Sequence, residues 1–267
     1  MISTMWYRFL AYMASRGGVP ASGLEVRDET DTLEALLEYS ASLVRFGNFQ
    51  FRLMYGENAP DQPYSARLAK RLRRVLRQGR PDARFMVALP RPGARPAEWK
   101  GSDAEWEMLN RRTVLAARAG RVYFSSFVTC PQSLPPRVSA MRYYRRLREA
   151  WEGRPVTIVA TERDDSRHEV YANAKYVNFV GVPVMDAYAH HDDLLREIMD
   201  CSTANSVVLL CAGTISPLLG ADLHKAGYRA IDVGRLGDCY DRRVEPSPDT
   251  REFGRSAIVL RGVPRRA

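Results

Sequence analysis

Asn48 and Gln50 lie just past Arg45, Phe46 and Gly47, where a short apolar run meets a glycine that lets the chain turn. On extended backbone, side chains two apart project to one side. Two carboxylates at such a mouth would chelate a metal-diphosphate, and this chain has two amides there. An amide oxygen can ligate a hard cation but adds no negative charge, and Mg²⁺ sites normally keep a carboxylate. If Mn or Mg binds, Glu57 and Asp61 are the nearby acids that would substitute, although the amide pair disfavours a metal. Without one, Arg45 and Arg52 offer guanidinium groups that pair with phosphate in bidentate fashion. The plainer alternative is that Asn48 tolerates a turn and Gln50 is a surface residue.

Three further clusters carry polar chemistry. Thr161, Glu162, Arg163, Asp164, Asp165, Ser166 and Arg167 follow an apolar run directly, at the kind of strand end where ligands bind. Glu162 is suited to take a proton from a hydroxyl, while a charged surface loop with internal ion pairs accounts for the same residues. Gly213, Thr214 and Ser216 join another apolar run to a helix, and free N–H groups at a helix start favour phosphate. An ordinary capped helix with Pro217 in its first turn fits equally well. Asp232 ends a fourth apolar run ahead of Gly234, Arg235, Asp238, Tyr240 and Asp241; it either orients a ligand hydroxyl or forms a turn.

The elements around these clusters alternate as in an α/β protein. Strands are expected at 42–46, 84–89, 122–127, 155–160, 176–182 and 207–212, and residues 50–55 read as extended. The longest are continuous apolar runs suited to a parallel sheet covered on both faces. Helices are expected at 30–39, 67–80, 103–119, 138–151, 192–201 and 218–225. The basic helix at 67–80 puts Leu68, Leu72, Val75 and Leu76 on one face and most of its arginines on the other, which reads as a solvated face. Tyr143 and Tyr144 read as core-facing. His190, His191, Asp192 and Asp193 read as a helix start, with the acids at its positive end. His168 and His224 show no partner in the sequence.

At 267 residues and 45% hydrophobic, the chain can bury a full core. The predicted organisation is an N-terminal extension at 1–28, one domain at 29–245 and a tail at 246–267 that adds an edge strand near 256–260. The four cysteines lack metal-binding spacing, and a reduced cytoplasmic setting is the simplest expectation. The run Met1 to Met13 is too short and polar to span a bilayer. The net charge of +9 suits a phosphate-rich substrate or peripheral contact with an anionic inner membrane surface. Nucleic-acid signatures are lacking, as are dinucleotide, P-loop and nucleophile-elbow motifs.

Arg45, Phe46 and Gly47, with Gln62 and Tyr64, the strand at 85–89, and Gly227 to Gly234 followed by Asp238, Tyr240 and Asp241, resemble the GT-D fold glycosyltransferases. The likeness spans about residues 30–241. It implies a Rossmann-like α/β fold, a mostly parallel sheet with helices on both faces. It also implies transfer of a sugar from a nucleoside-diphosphate sugar to an acceptor hydroxyl. The family pattern, roughly Arg-Phe-Gly-Asp-Gly-Glu, sets Asn48 and Gln50 where relatives carry metal-binding acids. By the same resemblance, Glu162 is the candidate base and Asp232 orients the donor. Arg45, Gly47, Asn48, Gln50, Gln62, Arg167, Gly213, Thr214 and Ser216 would hold donor and diphosphate. Ile215 stands where relatives have Thr, and Arg235 where they usually have His. The competing expectation is a protein of the same fold that binds the nucleotide sugar, or a partner, without turnover.

Overall fold

The structure, a computed structural model, describes residues 24–78, 84–92, 95, 101–118, 120–131, 140–162, 165 and 167–244. Most of the expected N-terminal extension, the tail with its edge strand, and Arg163, Asp164 and Ser166 lie outside these residues.

Eight parallel strands form one sheet: β1 (Glu25–Val26), β2 (Ser42–Arg45), β3 (Phe85–Leu89), β4 (Val122–Ser125), β5 (Pro155–Ala160), β6 (Tyr176–Gly181), β7 (Val207–Cys211) and β8 (Arg229–Asp232). Their order is β1-β4-β3-β2-β8-β7-β5-β6. The described helices are α1 (Glu29–Glu38), α2 (Asn48–Met54), α3 (Ala66–Leu76), α4 (Asp103–Ala116), α5 (Ala140–Arg148), α6 (His191–Asp200), α7 (Ser216–Lys225) and α8 (Leu236–Val244). None is long and apolar enough to cross a membrane.

The central strands, such as Phe85–Leu89 and Val207–Cys211, are apolar because both faces are covered. Leu43, Ile158 and Leu209 enter a core with Leu33 and Leu36 of α1, Tyr143 and Tyr144 of α5, and Tyr240 of α8. Val44 faces the opposite side and packs with α2, α3 and α4. Val159 and Leu210 do likewise with α6 and α7. That alternation between layers is the period-two geometry of a strand. Helix α7 sits so close to the sheet that a Cβ on Gly220 would meet Val44 Cγ1 at 2.6 Å and Leu210 Cδ1 at 3.3 Å. Helix starts follow local chemistry: Asp28 accepts from the Asp31 amide at 2.8 Å, and Ser102 and Glu105 close a capping box on α4.

Four expectations need correction. Residues 50–55 are not extended, since α2 begins directly after Gly47. The stretch around Asp238 and Asp241, for which no element was expected, is helix α8. Glu25–Val26, expected in the extension, pairs with β4 at the sheet edge. Cys130 and Cys239 are joined by a disulfide across a sequence separation of 109, with Cα atoms 5.6 Å apart. This pairing is at odds with the reduced setting expected, and it left no trace in local cysteine spacing.

The order of strands decides where a ligand can enter. The chain leaving β5 runs outward to β6, whereas the chain leaving β7 runs the other way to β8. Connections diverge between β5 and β7, so a crevice opens outside their carboxyl ends, the position where parallel α/β sheets bind ligands.

Candidate active site

At the mouth between β2 and β8, Arg45 and Asp232 form an internal pair. Arg45 Nε and Nη2 donate to Asp232 Oδ1 at 3.2 and 3.1 Å, and the Arg45 amide reaches Asp232 Oδ2 at 3.3 Å. The remaining guanidinium nitrogen donates to the Ser126 carbonyl and to Thr129 Oγ1. Asp232 is only 4% exposed, and burial raises its pKa while the Arg45 charge opposes that rise. Gly234 has φ +52 and no side chain because a Cβ would overlap the Arg45 guanidinium. The structure therefore brings Arg45 and Asp232 together, with four of the five guanidinium N–H groups of Arg45 already bonded to protein.

Gln50 is buried rather than a surface residue. Its Oε1 accepts from the Gly47 amide at 2.9 Å, and its Nε2 donates to the Thr214 carbonyl at 3.2 Å. Asn48 heads the same helical turn and is half-buried. On a helix these two side chains diverge, unlike the parallel projection expected of a strand. Asp61 completes the junction: the Thr214 amide donates to its Oδ2 at 3.0 Å and the Thr214 hydroxyl to its Oδ1. The helix-start position suited to phosphate thus already holds a carboxylate of the chain. Ser216 Oγ is likewise occupied, accepting from the Ala212 amide at 3.1 Å. Gln62, 2% exposed, donates to Asp186 at 2.6 Å and accepts from the Tyr188 amide at 3.0 Å.

The open space lies next door. A cleft of about 480 Å³ is lined by Thr161 and Glu162 after β5, Cys211 and Gly213 at the end of β7, and Gly234 and Arg235 after β8; Asp165, His168, Tyr171, Gly237 and Asp238 complete it. Glu162 is exposed at its lip and Asp165 half-buried. Arg167 is exposed and is not among the described residues lining the cleft. Arg235 pairs with Asp238 at 2.6 Å on the first turn of α8. Burial pushes the Cys211 thiol up to about 12, helped by the charges of Asp232 and Asp165, so it stays protonated and is no nucleophile near neutral pH. His168, which had no partner in the sequence, bonds Asp241 through Nδ1 at 2.5 Å. Only the fold joins residues 73 apart, so no local signal could have paired them. His224 likewise gains a partner, Ser42 Oγ at 3.2 Å. His191 is buried at a helix start as expected and bonded to Asp192 and Asp222.

The residues expected to serve a metal do not fit one. Gln50 is neutral and bonded at both ends of its amide, Asp61 is held by Thr214, and Glu57 pairs with Arg112 and Arg52. Among the described residues, no three His, Cys, Asp or Glu side chains cluster as ligands.

An all-parallel sheet with its cleft at the switch between β5 and β7 defines a class of α/β protein whose ligands bind outside the carboxyl ends of the strands. Residues 43–245 match the family described as Glycosyltransferase GT-D fold, and the chain belongs to that family. Among curated proteins it is 26% identical over 218 residues to a "Probable glycosyl transferase Gly" of Streptococcus gordonii, covering 79% of this chain and 32% of that protein. It is 25% identical over 235 residues to "Glycosyltransferase GlyD" of Streptococcus pneumoniae, covering 83% of this chain and 28% of that one. The chain therefore spans about a third of the length of the curated relatives it matches. A solved structure described as the domain of unknown function 1792, with "a distinct glycosyltransferase fold", superposes with a TM-score of 0.73 at 26% identity, covering 86% of this chain and 84% of its own. Another, described as a new glycosyltransferase from Streptococcus sanguinis, gives 0.71 at 25% identity, covering 82% and 84%.

Proposed function

We propose that the chain transfers a sugar from a nucleoside-diphosphate sugar to an acceptor hydroxyl in the cleft between the ends of β5, β7 and β8. The observation that carries this reading is the placement of carboxylates, an arginine and a helix start around one crevice at the switch point of a GT-D sheet. In this reading the frame and the grip are separate. Arg45, Gly47, Asn48, Gln50, Gln62, Thr214, Ser216 and Asp232 hold the turns that shape the mouth, and Gly213 lets the chain pass close to the donor. The diphosphate lies against the amino end of α8, where unsatisfied N–H groups and the helix dipole favour anions. Arg235 joins it there. Its exposed pair with Asp238 is weak, as solvent-screened pairs are, and gives way to a doubly charged ligand. Arginine then neutralises the leaving diphosphate in place of a divalent cation.

A second reading, binding without turnover, is favoured by the neutral residues at 48 and 50. The discriminating experiment incubates the protein in EDTA with uridine, guanosine and thymidine diphosphate hexoses and a panel of glycoside acceptors, and measures nucleoside diphosphate release. The transferase reading expects acceptor-dependent release that added Mn²⁺ leaves unchanged. Binding of a donor with no release from any pair supports the second reading.

A further inference from the structure

Resting on the transferase reading, we propose that His168 is the base that takes the acceptor proton and that Asp241 positions it. The two come from different parts of the chain. His168 caps the 3-10 turn Glu169–Tyr171 after β5, and Asp241 lies on α8. A carboxylate only accepts, so the 2.5 Å contact places the imidazole proton on Nδ1. With Nδ1 committed to Asp241, Nε2 is the nitrogen that can take a proton, the arrangement a general base needs.

The ring is fixed as well as oriented. It lies across the bare Cα of Gly237, where a Cβ would overlap Cγ, Cδ2 and Nε2. The His168 carbonyl accepts from the Tyr171 amide at 3.1 Å, which holds the backbone beneath it. The side chains of His168 and Asp241 are 21% and 33% exposed; His168 lines the cleft, and Asp241 stands behind it, outside the lining. Glu162 shares the cleft but stands exposed at its lip, free of any such clamp.

In the step proposed, the acceptor oxygen forms a bond to the anomeric carbon as its proton passes to Nε2. The bond from that carbon to the diphosphate oxygen breaks, and its electron pair leaves with the nucleoside diphosphate. The imidazolium formed is stabilised by the Asp241 carboxylate, and it returns the proton to water.

The test uses His168→Gln, His168→Ala, Asp241→Asn, Asp241→Glu and Glu162→Gln, with the same donor and acceptor panel. The His168 variants should bind the donor as the wild type does and lose kcat about 100- to 10,000-fold, and added imidazole should restore turnover to His168→Ala. Asp241→Asn should lower kcat without raising the donor KM, and Asp241→Glu should recover part of the loss. Turnover retained in His168→Gln, or lost in Glu162→Gln while His168→Gln stays active, overturns the assignment. Failure of the wild type to release any nucleoside diphosphate removes the transferase reading instead. A substrate-free measurement covers variants that fail to fold. Nitrogen-15 spectra of the four histidines should show the neutral form of His168 as the Nδ1–H tautomer, and an Nε2–H tautomer overturns the proposal.

Discussion

A single amide, Gln50, joins the turn after β2 to the turn after β7, and both of its ends are needed. Its oxygen satisfies a helix-start amide at Gly47 and its nitrogen satisfies the Thr214 carbonyl. A carboxylate in its place accepts at both ends, so Gln50→Glu loses the donor and sets an anion beside carbonyl oxygens in a site 8% exposed. Leaving buried partners unsatisfied costs about 1–3 kcal/mol. Urea denaturation of Gln50→Glu should show a loss of that size, and titration should show no gain in Mn²⁺ affinity. An unchanged midpoint together with new Mn²⁺-stimulated turnover would instead mark residues 48 and 50 as a decayed chelate. The sequence pointed to Gln50 and Asp61 by their position near a glycine turn. What it did not reveal is that each is consumed by backbone of the β7 turn, because that partner lies over 150 residues away.

At the scale of elements, legibility followed burial. Strands such as Pro155–Ala160 and Val207–Cys211 stood out because a sheet covered on both faces demands unbroken apolar runs. Helix α2 was hidden by an accidental alternation of Phe49, Phe51 and Leu53 with Asn48, Gln50 and Arg52, which mimics a strand. Tertiary contacts chose the helix, burying Phe51, Leu53 and Met54 and leaving Phe49 42% exposed. Helix α8 was masked by its polar composition, with Asp238, Asp241, Arg242 and Arg243 among nine residues. It is tied to the loop after β4 through Cys130–Cys239. A cross-link closing a loop of that length constrains the unfolded chain and is worth about 2–5 kcal/mol. Cys130→Ser should lose stability on that scale by chemical denaturation under oxidising conditions. Equal stability of Cys130→Ser and the wild type would mean that the bond contributes nothing to holding α8.

At the scale of the whole molecule, the fold class was readable because alternating strands and helices admit few topologies. The strand ends that line the cleft, at Glu162, Gly213 and Gly234, stood out in the sequence, but that they meet around one crevice depends on connections diverging between β5 and β7, a fact of strand order alone. The central claim is that this crevice grips a diphosphate with arginine and a helix start, without a divalent cation. Calorimetric titration in EDTA with uridine, guanosine and thymidine diphosphates tests it most directly, comparing the wild type with Arg235→Glu. The account predicts saturable binding of at least one nucleotide in EDTA, weakened about tenfold or more by the charge reversal, as loss of a charge-assisted contact implies. Binding that appears only with Mn²⁺, or that is indifferent to Arg235→Glu, would contradict it.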